Sequence, residues 1–432
     1  MSWLNRPIYS LLLRLAAPLL LLRLLLRGRK EPAYTQLIGQ RLGFYGPLQP
    51  VRGALWLHAV SLGEMRTAAL LIRQWRLQNP DTPLLLTCST ATGRAEGENL
   101  LDAQTQLIWL PWDMPGAVKR FLRAFKPSMG LLMETEVWPN LVAACRRQGI
   151  PLVQANARLN DASLRKALRL GWLARPAYRG LTAVWAQTEA DAQRLRALGA
   201  PVQGVFGNLK FDVEPDGAQL AQGRAWRTAH AQPVVLLASS REGEEALWLD
   251  GLKQKVAPAL TGQAPAAINS EVQWLIVPRH PQRFDAVEQI LRAAGLSVAR
   301  RSCWQGGPPR ADVWLGDSLG EMALYYGLAD VALLGGSFAP LGGQNLIEAA
   351  ACACPVVLGP HTFNFADAAQ KACAAGAAQR VDGMAQGVDA ACALACDAVA
   401  LAAARAAAQG FAQAHRGAAQ ATADAVRRLL HP

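Results

Sequence analysis

In the run His58-Ala-Val-Ser-Leu-Gly-Glu64, a glycine permits a tight turn and a glutamate falls in the first turn of the helical segment that follows. A helix N-terminus favours an ionised carboxylate, and such a group can accept a proton from a sugar hydroxyl. Spacing alone leaves a second reading open, in which Glu64 only caps its helix. Glu134-Thr-Glu136-Val-Trp-Pro-Asn140 ends another apolar run with two carboxylates, and Pro139 suits the first position of a helix. These carboxylates would position an acceptor, orient a basic neighbour, or cap the helix. Asn156-Ala-Arg158 ends the next run with an amide and a cation.

A second set of residues suits an anion. Gly207-Asn-Leu-Lys210, Ala238-Ser239-Ser240 and Pro278-Arg279-His-Pro281 each follow an apolar run. Lys210 and Arg279 would neutralise a phosphate, the arginine by a fork of donors and the lysine as a point charge. Each is an ordinary surface cation when taken singly; their shared position past strands is what groups them. Further on stand Leu315-Gly-Asp-Ser-Leu-Gly320-Glu-Met322 and the glycine-rich stretch from Gly335 through Gly343, Asn345 and Glu348. The latter opens a helix whose free N–H groups would cradle a phosphate, and Glu348, one turn in, would reach ribose hydroxyls. It is neither a Walker loop nor a G-x-G-x-x-G fingerprint. The chain also lacks an H-E-x-x-H pair and a D-x-D tripeptide, which favours a metal-independent reaction.

The elements that must hold these residues are short apolar runs alternating with helical stretches. The first series comprises Ala54–Val60, Pro83–Cys88, Gln106–Leu110, Met129–Met133, Pro151–Ala155, Ala183–Gln187 and Val202–Phe206. Continuous apolar strands of this kind are parallel and buried on both faces. After a polar stretch at 208–232 a second series follows: Val234–Ala238, Trp274–Val277, Val313–Leu315, Val331–Leu334 and Val356–Leu358. Leu260–Ser270 and Ser302–Arg310 read as surface loops, and the alanine-rich Ala418–Leu430 could pack on either domain. The expected architecture is α/β, with two Rossmann-like doubly wound domains facing a central cleft, a ligand at the carboxyl ends of the strands, and an N-terminal membrane-anchor helix. The expected divisions are an anchor over 1–30, an N-terminal domain over 31–211 and a C-terminal domain over 212–432.

Ile8–Leu26 is almost entirely Leu, Ala and Ile, interrupted by Arg14 and Arg23, and is followed by Arg27, Arg29 and Lys30. Its length approaches the ~20 residues of a membrane-crossing helix, and the basic cluster keeps the following chain cytoplasmic. The two arginines fall on opposite sides of a helical wheel, so neither a clean span nor a clean interfacial helix is drawn. The net charge of +12 suits an anionic membrane surface and anionic ligands; no nucleic-acid-binding pattern accompanies it. The eight cysteines show no zinc spacing and read as buried free thiols in a reducing compartment.

Taken in order, HAVSLGE, ETEVWPN, NARL, GNLKFD, VPRHP, GDSLGEM and GGSF…GGQNLIE resemble the 3-deoxy-D-manno-octulosonic acid (Kdo) transferases of glycosyltransferase family 30. The resemblance spans essentially the whole chain. It implies a GT-B fold and an inverting, metal-independent transfer of Kdo from CMP-Kdo to lipid IVA, a lipid A precursor, at the cytoplasmic face of the bacterial inner membrane in lipopolysaccharide core assembly. It further implies Glu64 as general base and Glu134 as a second essential acid. Lys210, Ser239, Ser240, Arg279, Gly320, Met322, Asn345 and Glu348 become the implied CMP-Kdo contacts. One departure is Arg241, where the family usually has a histidine. Two rival readings are a sugar-nucleotide 2-epimerase of the same architecture and an inactive membrane-bound scaffold.

Overall fold

The computed structural model describes residues 5–256 and 271–431; the loop expected over Leu260–Ser270 lies outside the described residues. The chain divides into two compact units, Met1–Asp212 with Arg416–Pro432, and Val213–His415. Their boundary falls where the first strand series ends. The expected 212–432 domain differs at its far end, because the last helix, Ala418–Leu430, belongs to the first unit.

The first unit is built on β1 (Leu55–His58), β2 (Leu84–Cys88), β3 (Thr105–Trp109), β4 (Met129–Met133), β5 (Leu152–Ala157), β6 (Ala183–Ala186) and β7 (Val202–Val205). All pair in parallel in the order β3-β2-β1-β4-β5-β6-β7. Alternation along β1 sends Trp56 into one face's core, with Phe121 and Leu132, and Leu55 and Leu57 into the other, with Leu71 and Trp75. Both faces are therefore apolar and helix-covered, which parallel strands require. Gly130 makes room for Trp56, since a Cβ there would meet the indole at 2.5 Å.

The second unit carries β8 (Val234–Ser240), β9 (Gln273–Pro278), β10 (Val298–Arg300), β11 (Val313–Leu315), β12 (Val331–Leu334), β13 (Val356–Leu358) and β14 (Ala378–Arg380). These also pair in parallel, in the order β10-β11-β9-β8-β12-β13-β14. The strand order reverses around β1 and β4 in one sheet and around β8 and β12 in the other, and such switch points are where open α/β sheets bind ligands. Three cysteines depart from the buried thiols expected: Cys303 and Cys396 are exposed and Cys373 is half-buried.

The apolar N-terminal run forms one helix, Asn5–Gly28. At the other terminus, helix Ala418–Leu430 starts on Asp212, whose carboxylate accepts from the N–H groups of Gly417 (2.5 Å) and Ala419 (2.6 Å). Replacing Asp212 by Ala removes this cap and should lower the first unit's stability by about 0.5–2 kcal/mol, read from urea unfolding.

Candidate functional site

In the first unit the candidate residues gather at the carboxyl ends of β1, β4 and β5. Helix Leu62–Gln78 begins on Ser61, whose Oγ accepts from the Glu64 N–H at 3.4 Å. The Glu64 carboxylate in turn accepts from the Val60 N–H at 2.7 Å through Oε2. The pair resembles a capping box in which the glutamate reaches one residue past the cap, so the cap reading of Glu64 holds. It does not displace the base reading, because Oε1 makes no hydrogen bond among the described residues. Partial burial, opposed by the Val60 N–H and reinforced by the charges of Glu134 and Glu136, pushes the Glu64 pKa up to about 7. A carboxylate of that pKa is matched to proton abstraction near neutral pH.

Glu134 is buried, and its backbone takes a left-handed φ of 54°. Its carboxylate meets Arg158 Nε at 2.7 Å and Lys210 Nζ at 3.4 Å. Asn156 is also left-handed, at φ 52°, and its Oδ1 accepts from the Leu209 N–H at 3.1 Å. That bond braces the short turn carrying Lys210. Neither glutamate of the ETE motif caps the helix Pro139–Arg147. Asp113 does so instead, accepting from the N–H groups of Asn140 (2.9 Å) and Leu141 (2.7 Å). His58 is fully buried with Nδ1 against Thr87, and burial lowers its pKa to about 4, so its ring is neutral at physiological pH.

In the second unit the candidates stand past β8, β9, β11 and β12. Ser239 has a left-handed φ of 55°, and its Oγ lies 3.9 Å from the Met322 sulfur. Left-handed backbone costs a non-glycine residue on the order of 1–3 kcal/mol and clusters at functional sites; Glu134, Asn156 and Ser239 all sit at the ends of central strands. Close approach of the β8 and β12 ends depends on Gly335, where a Cβ would meet the Ser239 carbonyl at 2.3 Å.

Part of the glycine-rich loop is engaged from within the unit. Its N–H groups at Gly336 (2.7 Å), Phe338 (3.1 Å) and Ala339 (3.3 Å) are taken by the buried Glu244 carboxylate, which also accepts from Arg241 N–H at 2.8 Å. Three N–H groups of the loop are thus engaged by an internal anion. Arg279 lies at the end of β9 and donates from Nε to Gln344 Oε1 at 3.2 Å. Arg241 and Arg279 stand close enough to His280 to lower its pKa, after burial, which marks a cationic rim.

Asn345 caps the helix Leu346–Ala351 through Ile347 N–H and donates from Nδ2 to Glu348 Oε1 at 3.0 Å, orienting that carboxylate. Gly320 is exposed at φ 80°, with its carbonyl bonded to Gln219 Nε2 at 3.0 Å. Ser240 is fully buried; its Oγ donates to Glu245 at 2.5 Å, and Glu245 forms a two-pronged pair with Arg283 at 3.0 and 2.8 Å. Of the anion-site set, Ser239, Ser240, Arg279, Gly320, Met322, Asn345 and Glu348 share the second unit, whereas Lys210 lies in the first on Glu134. Sequence reasoning passed over Asp113, Glu244, Glu245 and Gln344. The Arg241-x-x-Glu244 spacing, which repeats Ser61-x-x-Glu64, was the available signal.

Two parallel α/β units of this form define the GT-B class. A glycosyltransferase from Rickettsia africae matches at TM-score 0.56 with 11% identity, over 88% of this chain and 99% of that one. UDP-GlcNAc 2-epimerase from Neisseria meningitidis, bound to UDP-GlcNAc, matches at 0.56 with 14% identity, over 87% and 100%. That fold serves a transferase and an epimerase alike, so sequence must choose between them. Residues 36–213 match the family described as 3-deoxy-D-manno-octulosonic-acid transferase (kdotransferase). The 3-deoxy-D-manno-octulosonic acid transferase of Bordetella pertussis is 48% identical over 432 residues, 98% of this chain and 99% of its own. This chain belongs to the Kdo transferase family, a family of glycosyltransferases, in agreement with the motif resemblance.

The electrostatics of the first unit give a direct expectation. A carbon-13 NMR titration should find the Glu64 carboxyl ionising near pH 7. In Glu134→Gln the midpoint should fall, because a repelling charge is lost while Arg158 and Lys210 remain.

Proposed function

We propose that this chain transfers Kdo from CMP-Kdo to a hydroxyl of lipid IVA, inverting the anomeric centre, in the assembly of the lipopolysaccharide core. The observation that carries the reading is identity to a Kdo transferase of 48% across 98% of the chain. The carboxylate of raised pKa past β1 supports it, as does the cationic rim past β8 and β9.

In this mechanism Glu64 takes the proton of the acceptor hydroxyl as its oxygen attacks the anomeric carbon. The bond from that carbon to the phosphate oxygen breaks, and CMP leaves with the electron pair. Arg279 meets the charge growing on the leaving phosphate, and cations aimed at developing charge lower the barrier. Glu348, fixed by Asn345, receives ribose hydroxyls, while Ser239, Gly320 and Met322 line the nucleotide. Buried Ser240 acts by shaping the turn through Glu245. Glu134 holds Arg158 and Lys210 in place, and through them these cations face the acidic sugar or the acceptor's phosphates. The body works at the cytoplasmic face of the inner membrane, a placement supported by the basic residues that follow the apolar helix, which the anionic cytoplasmic leaflet attracts.

Incubation with CMP-Kdo and tetraacylated lipid IVA should release CMP and yield a lipid heavier by whole Kdo units. An epimerase or an inactive scaffold would leave the lipid mass unchanged. Glu348→Ala should weaken CMP binding about tenfold or more by calorimetry, the loss of a charged hydrogen bond. Unchanged affinity would place the ribose contact elsewhere.

A further inference from the structure

The apolar N-terminal helix Asn5–Gly28 has two distinct long faces. One is turned to the body of the first unit: Ser10 and Leu24 are buried, and Tyr9, Leu13, Ala17 and Leu20 are half-buried. Near the helix start, Ser10 Oγ hydrogen-bonds the Asn140 side chain (3.1–3.2 Å), and the Tyr9 hydroxyl reaches Asp113, the carboxylate that caps helix Pro139–Arg147. Near its end, Leu24 packs with Tyr34 and Ala91, and Arg27 lies 5.6 Å from the Tyr34 ring centre. The helix is thus fastened to the same soluble unit at both ends and lies along it. A helix crossing a bilayer would carry one of those ends to the far side, away from the body.

The other face is an unbroken apolar stripe. Ile8, Leu12, Leu15, Leu19, Leu22 and Leu26 recur at three- and four-residue spacing and are 47–73% exposed. Arg14 and Arg23 are nine residues apart, which at about 100° per residue puts them half a turn out of step. With the stripe between them, half a turn apart means one arginine on each margin. From such margins long side chains reach the headgroups while the leucines between them enter the acyl layer. Arg6, Arg27, Arg29 and Lys30 are exposed as well, and residues 5–30 contain no acidic side chain. Beside this helix packs Gly171–Arg179, at whose start Leu170 and Trp172 are 53% and 42% exposed.

We infer that Asn5–Gly28 is an in-plane membrane helix. It lies parallel to an anionic bilayer surface, with its leucine stripe in one leaflet, and does not cross the membrane. The apolar stripe supplies the depth of insertion and the flanking cations supply the preference for anionic lipid.

The test uses the full chain, carrying an N-terminal tag and a protease site before Asn5, with vesicles of phosphatidylcholine alone or mixed with phosphatidylglycerol. The vesicles hold no acceptor, so the result does not depend on whether the chain transfers Kdo. Flotation should show at least about tenfold tighter binding to the anionic vesicles. The variant Leu15→Gln/Leu19→Gln/Leu22→Gln should lose binding by about tenfold or more with an unchanged Tm, since all three side chains face solvent. The tag should be cut by protease added outside, on the side that carries the body. A tag cut only after vesicle lysis, unchanged binding by the triple variant, or equal binding to both vesicle types would each overturn the inference.

Discussion

The bond from the Val60 N–H to the Glu64 carboxylate, 2.7 Å long, is the constraint on which the first unit's chemistry turns. A half-buried carboxylate on a helix's first turn has many rotamers available to it. Two bonds remove that freedom, because Ser61 holds the backbone N–H of Glu64 and Val60 holds its carboxylate. Burial and two neighbouring glutamates then raise its proton affinity, and Arg158 restrains the rise. One residue therefore serves the fold as a cap and, in the proposed mechanism, serves the reaction as a base. The two readings of Glu64 that spacing left open are not alternatives.

The same device, a carboxylate spent on backbone N–H groups, recurs where the architecture needs a rigid turn. Asp113 starts the helix behind the ETE motif, Asp212 starts the last helix, and Glu244 gathers the glycine-rich loop. Glu244 bears most on function. An anion placed behind that loop engages the N–H groups of Gly336, Phe338 and Ala339, and in the proposed mechanism recognition of the nucleotide falls to Arg279 and Glu348, which Gln344 and Asn345 orient. Fixed side chains of this sort are selective, because their geometry is set before the ligand arrives.

Much of the fold was legible in the sequence because buried parallel strands are written as apolar runs. Met129–Met133, Val313–Leu315, Val331–Leu334 and Val356–Leu358 fall where the runs place them. The strands Val298–Arg300 and Ala378–Arg380 were not legible, since both are sheet edges whose side chains are partly or fully exposed and carry no apolar signal. The last helix was ambiguous because alanine gives little directional pattern; its partner is decided by Asp212, more than two hundred residues earlier in the chain. In the site, residues following strands could be picked out, but their partners could not. Arg158 and Lys210 meet on Glu134 only because β4, β5 and the turn after β7 converge. The wheel positions of Arg14 and Arg23 became interpretable only once one face of their helix was seen packed on the body.

The most direct test of the central claim is steady-state turnover of Glu64→Gln with CMP-Kdo and lipid IVA. Glutamine can keep the cap but cannot take a proton at neutral pH. Turnover should therefore fall by about 10²–10⁴-fold, while thermal stability and CMP-Kdo affinity stay near those of the unaltered chain. Near-unaltered turnover would show that Glu64 only caps its helix and that the proton goes elsewhere.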